Sequence, residues 1–458
     1  MSAILRFSLG VLFLIKLLAP ISYQASVEVN ENRALVDYPE KITFYLQASS
    51  SEEIESVKLV FGTDAISCGE NITRAIPEDY ESSKEVDVEW EFVLRRSGTL
   101  PPGTDVWWVW KLTDSSGNQT ETPRQSLQFI DDTFDWQLHQ SESLDFHWYE
   151  GSAGFIRELA QAGETALSYL FDVTGVKIQE RMSIYIYEDS AAMQTATLFA
   201  PDWSGGIAFS EYRTVLAGVP PGSITWGKNV VAHELTHVLV GVYTFSCVES
   251  MPIWLNEGLA MLMEESVGIT HDSEMERLAK AIEDNDLLSV KEISYIFSND
   301  PDLARQAYAQ SLSLVEFLFE TYGQEKMLQF LDKFKQGISQ DRALKDVYGY
   351  DQDSLNAVWR EWIGAPPLVG TPIPESTPTW TPYPTFAPIS GPVVFDEESP
   401  TSTEPLIPTI APTTPVPEQQ STYDDGNNFF IYVGIGGGAI ILFLIFFFVL
   451  RRSKKIGA

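Results

Sequence analysis

Between residues 26 and 132 apolar and polar residues alternate in short runs, KITFYLQA, SVKLVFG, VEWEFVL and DVWWVWKLTD. Turn-forming stretches such as TLPPG (99–103) and DSSGN (114–118) punctuate them. A two-residue period turns one set of side chains to one face of a strand, so this part predicts a small antiparallel β-sandwich of immunoglobulin-like or fibronectin-like kind. After a connection over 133–144 the pattern becomes mixed. Strands are expected over 145–149, 182–187, 205–209 and 214–217, with a helix over 153–173. Beyond Gly268 the apolar spacing is helical almost throughout. It predicts helices over 272–284, 302–322, 324–335, 340–347 and 351–362, several begun by Asp or Ser and ended by Gly.

The two ends differ from this body. Arg6 followed by an apolar run to Ile21 makes 1–25 a secretory signal peptide, or an uncleaved anchor, since no clear small-residue cleavage site follows. From residue 365 to 428 the chain is rich in Pro and Thr, and 15 of its 26 prolines fall between Pro366 and Pro417. Such a composition builds no core and predicts a disordered, extended spacer or stalk. The uncharged run 429–450 would be about 33 Å long as a helix, enough for a bilayer core of about 30 Å. Arg451, Arg452, Lys454 and Lys455 follow it directly. The positive-inside rule then makes 451–458 a short cytoplasmic tail and places everything before residue 429 outside the membrane.

A formal charge of -34 argues against nucleic acid or an anionic membrane surface as partner, because both would repel the chain. Cys68 and Cys247 are the only cysteines and can pair or stay free; two do not make a disulfide scaffold. For Cys247 a small buried thiol is preferred to a metal ligand. Trp107, Trp108 and Trp110 read as core and cross-strand packing. Asn71 and Asn118 head glycosylation sequons, which matter only in a host that uses them.

The chemistry concentrates in VVAHELTHVLVGVYTFSCVESMPIWLNEGLA, 230–260. His233 and His237 stand four apart, so a helix turns both imidazoles to one face, where they can hold one metal ion. Catalytic zinc takes three protein ligands and keeps a fourth position for water. Glu257 lies in the apolar frame WLNEGLA, which reads as a second helix begun after Pro252 and able to return its carboxylate to the same ion. Glu234, beside a ligand yet angled away from the metal, is placed to act as a general base.

HELTH followed at this distance by WLNEGLA resembles the gluzincin zinc peptidases, the group of thermolysin-like enzymes and aminopeptidase N, which share HExxH followed by NExxA. The resemblance covers roughly 145–364 and is specific at the two motifs. It implies an α+β zincin-like domain with a helical C-terminal half, Zn2+ between the halves, and His233, His237 and Glu257 as ligands. It also implies a sheet edge that pairs with extended substrate, one of the strands before the HELTH helix being the candidate. An oxyanion donor comes from the helical half in that family, which nominates Tyr308, with Tyr295 and Tyr212 as alternates. Two departures stand out. Thermolysin-like members carry an acidic residue four past the third ligand, where this chain has Met261, and the aminopeptidase GxMEN signature has no counterpart here. The expected protein is therefore a membrane-anchored extracytoplasmic zinc endopeptidase acting on peptides or proteins. A surface binding or adhesion protein with a structural or degenerate zinc domain is the other reading. His139, His147 and His271 read as structural or surface residues, His271 capping a helix or facing solvent.

Overall fold

The computed structural model describes residues 27–367 except 78–79, 97–98, 178, 199–204, 296 and 298–299. The expected signal peptide, nearly all of the stalk, the 429–450 span and the tail lie outside the described residues. Among the described residues no helix is long and apolar enough to cross a membrane.

The N-terminal part holds β1 (Glu28–Asp37), β2 (Lys41–Thr63), β3 (Ile72–Ala75), β4 (Ser83–Val93), β5 (Thr104–Asp114), β6 (Gln119–Glu121) and β7 (Gln125–Phe129). All the pairings are antiparallel. KITFYLQA and SVKLVFG, expected as separate strands, are one strand, β2. Residues 49–53, SSSEE, are polar but hold no Gly or Pro to break an extended backbone. The strand therefore bends there, with a register shift between Ser49 and Ile54, instead of turning back. Its first half lies between β1 and β4 and its second between β3 and β5. The two layers so formed close on one core, in which the Phe44 ring lies 5.1 Å from Phe61 and 5.6 Å from Trp108. Trp108 and Trp110 are buried in it, as expected for core tryptophans.

The second sheet has the order β11-β12-β10-β9-β8: β8 (Gln137–Gln140), β9 (Leu144–Trp148), β10 (Met182–Tyr187), β11 (Gly206–Phe209) and β12 (Thr214–Gly218). The stretch 133–144, read as a connection, thus contains an edge strand. Its sequence QLHQ has no apolar face, and Leu138 is exposed, so no alternation announces it. The inner strands β9, β10 and β12 are parallel, and both edges are antiparallel.

Helix α1 (Ala153–Thr174) is capped by Ser152, whose side chain accepts from the Phe155 N–H, and ends at left-handed Gly175. It packs with α3 (Ile224–Thr244) on one face of the sheet, in a core of Phe146, Ile156, Leu159, Ile184 and Leu235. The short α2 (Ser190–Thr195) and the aromatic residues Phe134, Trp136, Tyr149 and Tyr187 cover the other face.

The helical half comprises α4 (Ile253–Ser266), α5 (Asp272–Glu283), α6 (Glu292–Tyr295), α7 (Pro301–Lys335), α8 (Gln340–Tyr348) and α9 (Gln352–Trp362). Two of its starts carry side-chain caps: Asp300 accepts from Asp302 and Leu303 with Pro301 following, and Asp351 with Ser354 forms a capping box. The two helices expected on either side of residue 323 run together as α7 across a break at Gly323, whose φ is 76°.

Helices α4 and α7 pack closely at Gly258, where a Cβ would lie 2.3 Å from the Ser311 carbonyl oxygen. A backbone atom cannot swing aside, so Gly258→Ala must push the two helices apart. The expected loss is about 1–3 kcal/mol of stability, read as a lower urea midpoint.

Candidate metal centre

Helix α3 is buried on nearly every side because it lies between the sheet and the helical half, which is why its sequence is apolar almost all round. On it His233 and His237 present their imidazoles together, with Nε2 atoms 3.1 Å apart. Pro252 opens α4, and Glu257 in the second turn returns its carboxylate. Glu257 Oε2 lies 3.6 Å from His233 Nε2 and 3.5 Å from His237 Nε2. The structure thus brings the three sequence-predicted ligands together, within 4.8 Å of one another.

The arrangement fits a zinc ion. A tetrahedral zinc with ligands at about 2.0–2.1 Å separates its donors by about 3.3 Å, close to the three distances found. Among the described residues Glu257 Oε2 is also buried without a hydrogen-bond partner, a costly state that a cation removes. Electrostatics agree. Burial would raise the Glu257 pKa, but the imidazoles of His237 and His233 outweigh it and hold the carboxyl well below its usual range. Burial would lower the pKa of both histidines, yet the neighbouring carboxylates raise them, His233 strongly. Binding of the metal therefore displaces protons.

Sequence reasoning missed Glu264. It stands two turns along α4 from Glu257, on the same face, and its Oε1 lies 2.7 Å from His233 Nδ1. The carboxylate accepts the Nδ1 proton and leaves the Nε2 lone pair for the metal. The acidic residue absent at Met261, which packs into the core instead, is thus supplied three residues later. A charged residue in the run MLMEES, seven past Glu257, was the available signal. His271, expected to cap α5 or face solvent, does neither: it makes no capping bond and is buried. Its Nε2 donates to the Met261 carbonyl at 2.9 Å and lies 3.9 Å from Glu264 Oε2.

Glu234 is 4 % exposed and its Oε2 has no partner among the described residues. Burial raises its pKa, with His233 and His237 opposing. A raised carboxyl pKa suits a group that must both take up and give back a proton near neutrality. Space for this side chain depends on Gly206 in β11, where a Cβ would come within 2.9 Å of Glu234 Oε1. Strand β11 is the sheet edge nearest α3, and in the turn just past it the Ser210 hydroxyl donates to the His237 carbonyl at 3.1 Å.

Tyr308 lies buried on α7 with its ring edge-on to Phe297 at 4.9 Å. Of the alternates, Tyr295 is exposed on α6, and Tyr212 packs against the sandwich core. His147 stacks on Tyr185 at 4.4 Å, and burial lowers its pKa. Cys68 and Cys247 form a disulfide, so Cys247 is no free thiol.

A second carboxylate group surrounds Glu316 on α7. Burial first, then Glu265 and Glu320, raise its pKa from 4.5 to about 7, with His271 opposing. Over that window the folded chain keeps a proton that the unfolded chain has released, so this stabilising contribution is present at low pH and lost as pH rises through 7. Stability is expected to fall by about 1 kcal/mol between pH 5 and 8 on this account, discounted for partial exposure. Urea midpoints of wild type and Glu316→Gln at the two pH values test it; the variant should lose that part of the fall.

The three donors together fit a zinc site. Residues 162–365, from within α1 to just past α9, match the model of the Peptidase MA superfamily. No curated protein matches the chain. Among solved structures it is similar to an M1 zinc metallopeptidase from Deinococcus radiodurans, with 13% identity and a TM-score of 0.32 over 76% of this chain and 97% of that one. An aminopeptidase N family protein from Idiomarina loihiensis shows 10% identity and a TM-score of 0.32 over 76% of this chain and 74% of that one. The catalytically inactive OgpA of Akkermansia muciniphila, solved with an O-glycopeptide, shows 7% identity and a TM-score of 0.19 over 24% of this chain, which spans 30% of its length. Likenesses this distant carry no argument about activity.

Proposed function

We propose that this protein is a membrane-anchored, extracytoplasmic zinc endopeptidase. The observation that carries the reading is the convergence of His233, His237 and Glu257 on one point, with the buried Glu234 carboxylate on the same helix, its Oε2 without a partner among the described residues. When bound, zinc lowers the pKa of water towards 7 and polarises a carbonyl. The chain's own residues do the rest. Glu234 takes the proton of the attacking water and returns it to the leaving amine. Glu264 holds His233 in the orientation and tautomer a ligand needs. Strand β11, hydrogen-bonded on one side to β12, offers its other edge to an extended peptide. Tyr308 donates its hydroxyl proton in a hydrogen bond to the oxyanion, a role supported by its place on the helix packed against α4.

The lack of a GxMEN counterpart supports cleavage within a chain over removal of its first residue. The Cys68–Cys247 disulfide supports an oxidising, extracytoplasmic setting. The anchor rests on the sequence of 429–455. Metal analysis of the purified chain, with a mixed-peptide cleavage screen, tests the reading. Zinc at one per chain with internal cleavage is expected; zinc without cleavage under any condition would mean a surface binding protein instead.

A further inference from the structure

A cavity of about 400 Å³ opens beside the metal centre, with His237 and Asn256 in its lining. That is the size of a pocket that takes one long side chain or a small ligand. Its charged lining among the described residues, His237 apart, is two carboxylates, Glu211 and Glu249, with no lysine or arginine. Apolar wall comes from Val242 and Met251, and also from Ile66, which belongs to the N-terminal sandwich. We propose that this cavity is the subsite that selects a lysine or arginine side chain of the substrate, and that the sandwich forms one of its walls.

The chemistry matches the lining. A basic side chain lays its methylene stem along apolar surface and keeps its charged end near polar groups, and here Ile66, Val242 and Met251 offer the first while Glu211 and Glu249 offer the second. An acidic side chain in the same place would face two like charges. Because His237 borders the cavity, the side chain it holds lies next to the bond being cut, where a binding preference bears on rate.

The wall is fastened at several points. The Ile66 N–H donates to the Glu211 carbonyl at 2.9 Å, which joins the sandwich loop to the turn after β11. Two residues past Ile66, Cys68 is bonded to Cys247, in the loop that also carries Glu249. From the other side that loop rests on left-handed Gly337, where a Cβ would lie 2.3 Å from Val248. Tyr212, next to Glu211, packs against the sandwich core. The sandwich is therefore more than a spacer.

This inference rests on the peptidase reading, and the experiment separates the two. Peptides identical except for Lys, Arg, Leu, Ala or Glu on either side of one bond are offered to the full chain. At one of the positions kcat/KM for Lys or Arg should exceed that for Leu by about tenfold, equivalent to about 1.4 kcal/mol, and the ratio should shrink with salt. In Glu211→Gln/Glu249→Gln the Lys-to-Leu ratio should fall about tenfold. Ile66→Trp should penalise Lys and Arg more than Ala at that position. A parallel arm measures binding of fluorescein-labelled Lys and Glu peptides to Glu234→Gln chain by anisotropy, with zinc content as control. No preference for a basic residue, or one that survives the double substitution, overturns the proposal. If nothing is cleaved but the Lys peptide binds more tightly and loses that advantage in the double variant, the peptidase reading fails and the subsite stands.

Discussion

Glu234→Gln is expected to lower peptide hydrolysis by about 10²–10⁴-fold while the zinc content stays at the wild-type level. The substitution keeps the shape of the side chain and removes its ability to accept a proton. Shape matters here, because Glu234 is packed against Gly206 with no room for a larger group. Metal binding should persist because the converging donors are His233, His237 and Glu257, and Glu234 is not among them. Its Oε2 has no hydrogen-bond partner among the described residues, so the amide breaks no bond described at that atom. Mass-spectrometric metal analysis and a fluorogenic peptide assay on the same sample decide the matter. Undiminished cleavage by a zinc-loaded variant would remove Glu234 from the mechanism.

Glu264→Gln should weaken zinc binding by about 10–100-fold. The amide oxygen can still accept from His233 Nδ1, so the ring keeps its place. What disappears is a negative charge 2.7 Å from that nitrogen, which makes the opposite nitrogen a better donor to the metal. Glu264→Ala should be worse, since it leaves a buried ring N–H without an acceptor. Competition with a chelator of known affinity gives the number, and superimposable curves for wild type and Glu264→Gln would show that the contact does nothing for the metal.

What the sequence discloses follows from the range of the interactions. The spacing of His233, Glu234 and His237 is written within one helix and Glu257 within the next, so the donor set is legible before any fold is known. Caps such as Asp351 and stops such as Gly175 are equally local. Strand β8 escapes because an exposed edge needs no apolar alternation, and β2 is misread because a polar stretch looks like a turn until its lack of Gly and Pro is weighed. Glu264 lies in plain view at seven residues from Glu257, but its value depends on which face of α4 meets α3. The cavity is harder still: its wall joins residue 66 to residues 211 and 249, and no pattern along the chain links them.

The Cys68–Cys247 bond, made across a sequence separation of 179, gives the covalent chain the form of a ring with two arms. His233 and His237 lie in the ring, while Glu257 and Glu264 lie on the arm that leaves it at Cys247. A single proteolytic nick at any peptide bond in the ring opens it without dividing the molecule, so all four residues stay on one covalent body. The same nick anywhere between 368 and 428 would instead separate the whole of 27–367, metal centre included, from residues 429–458.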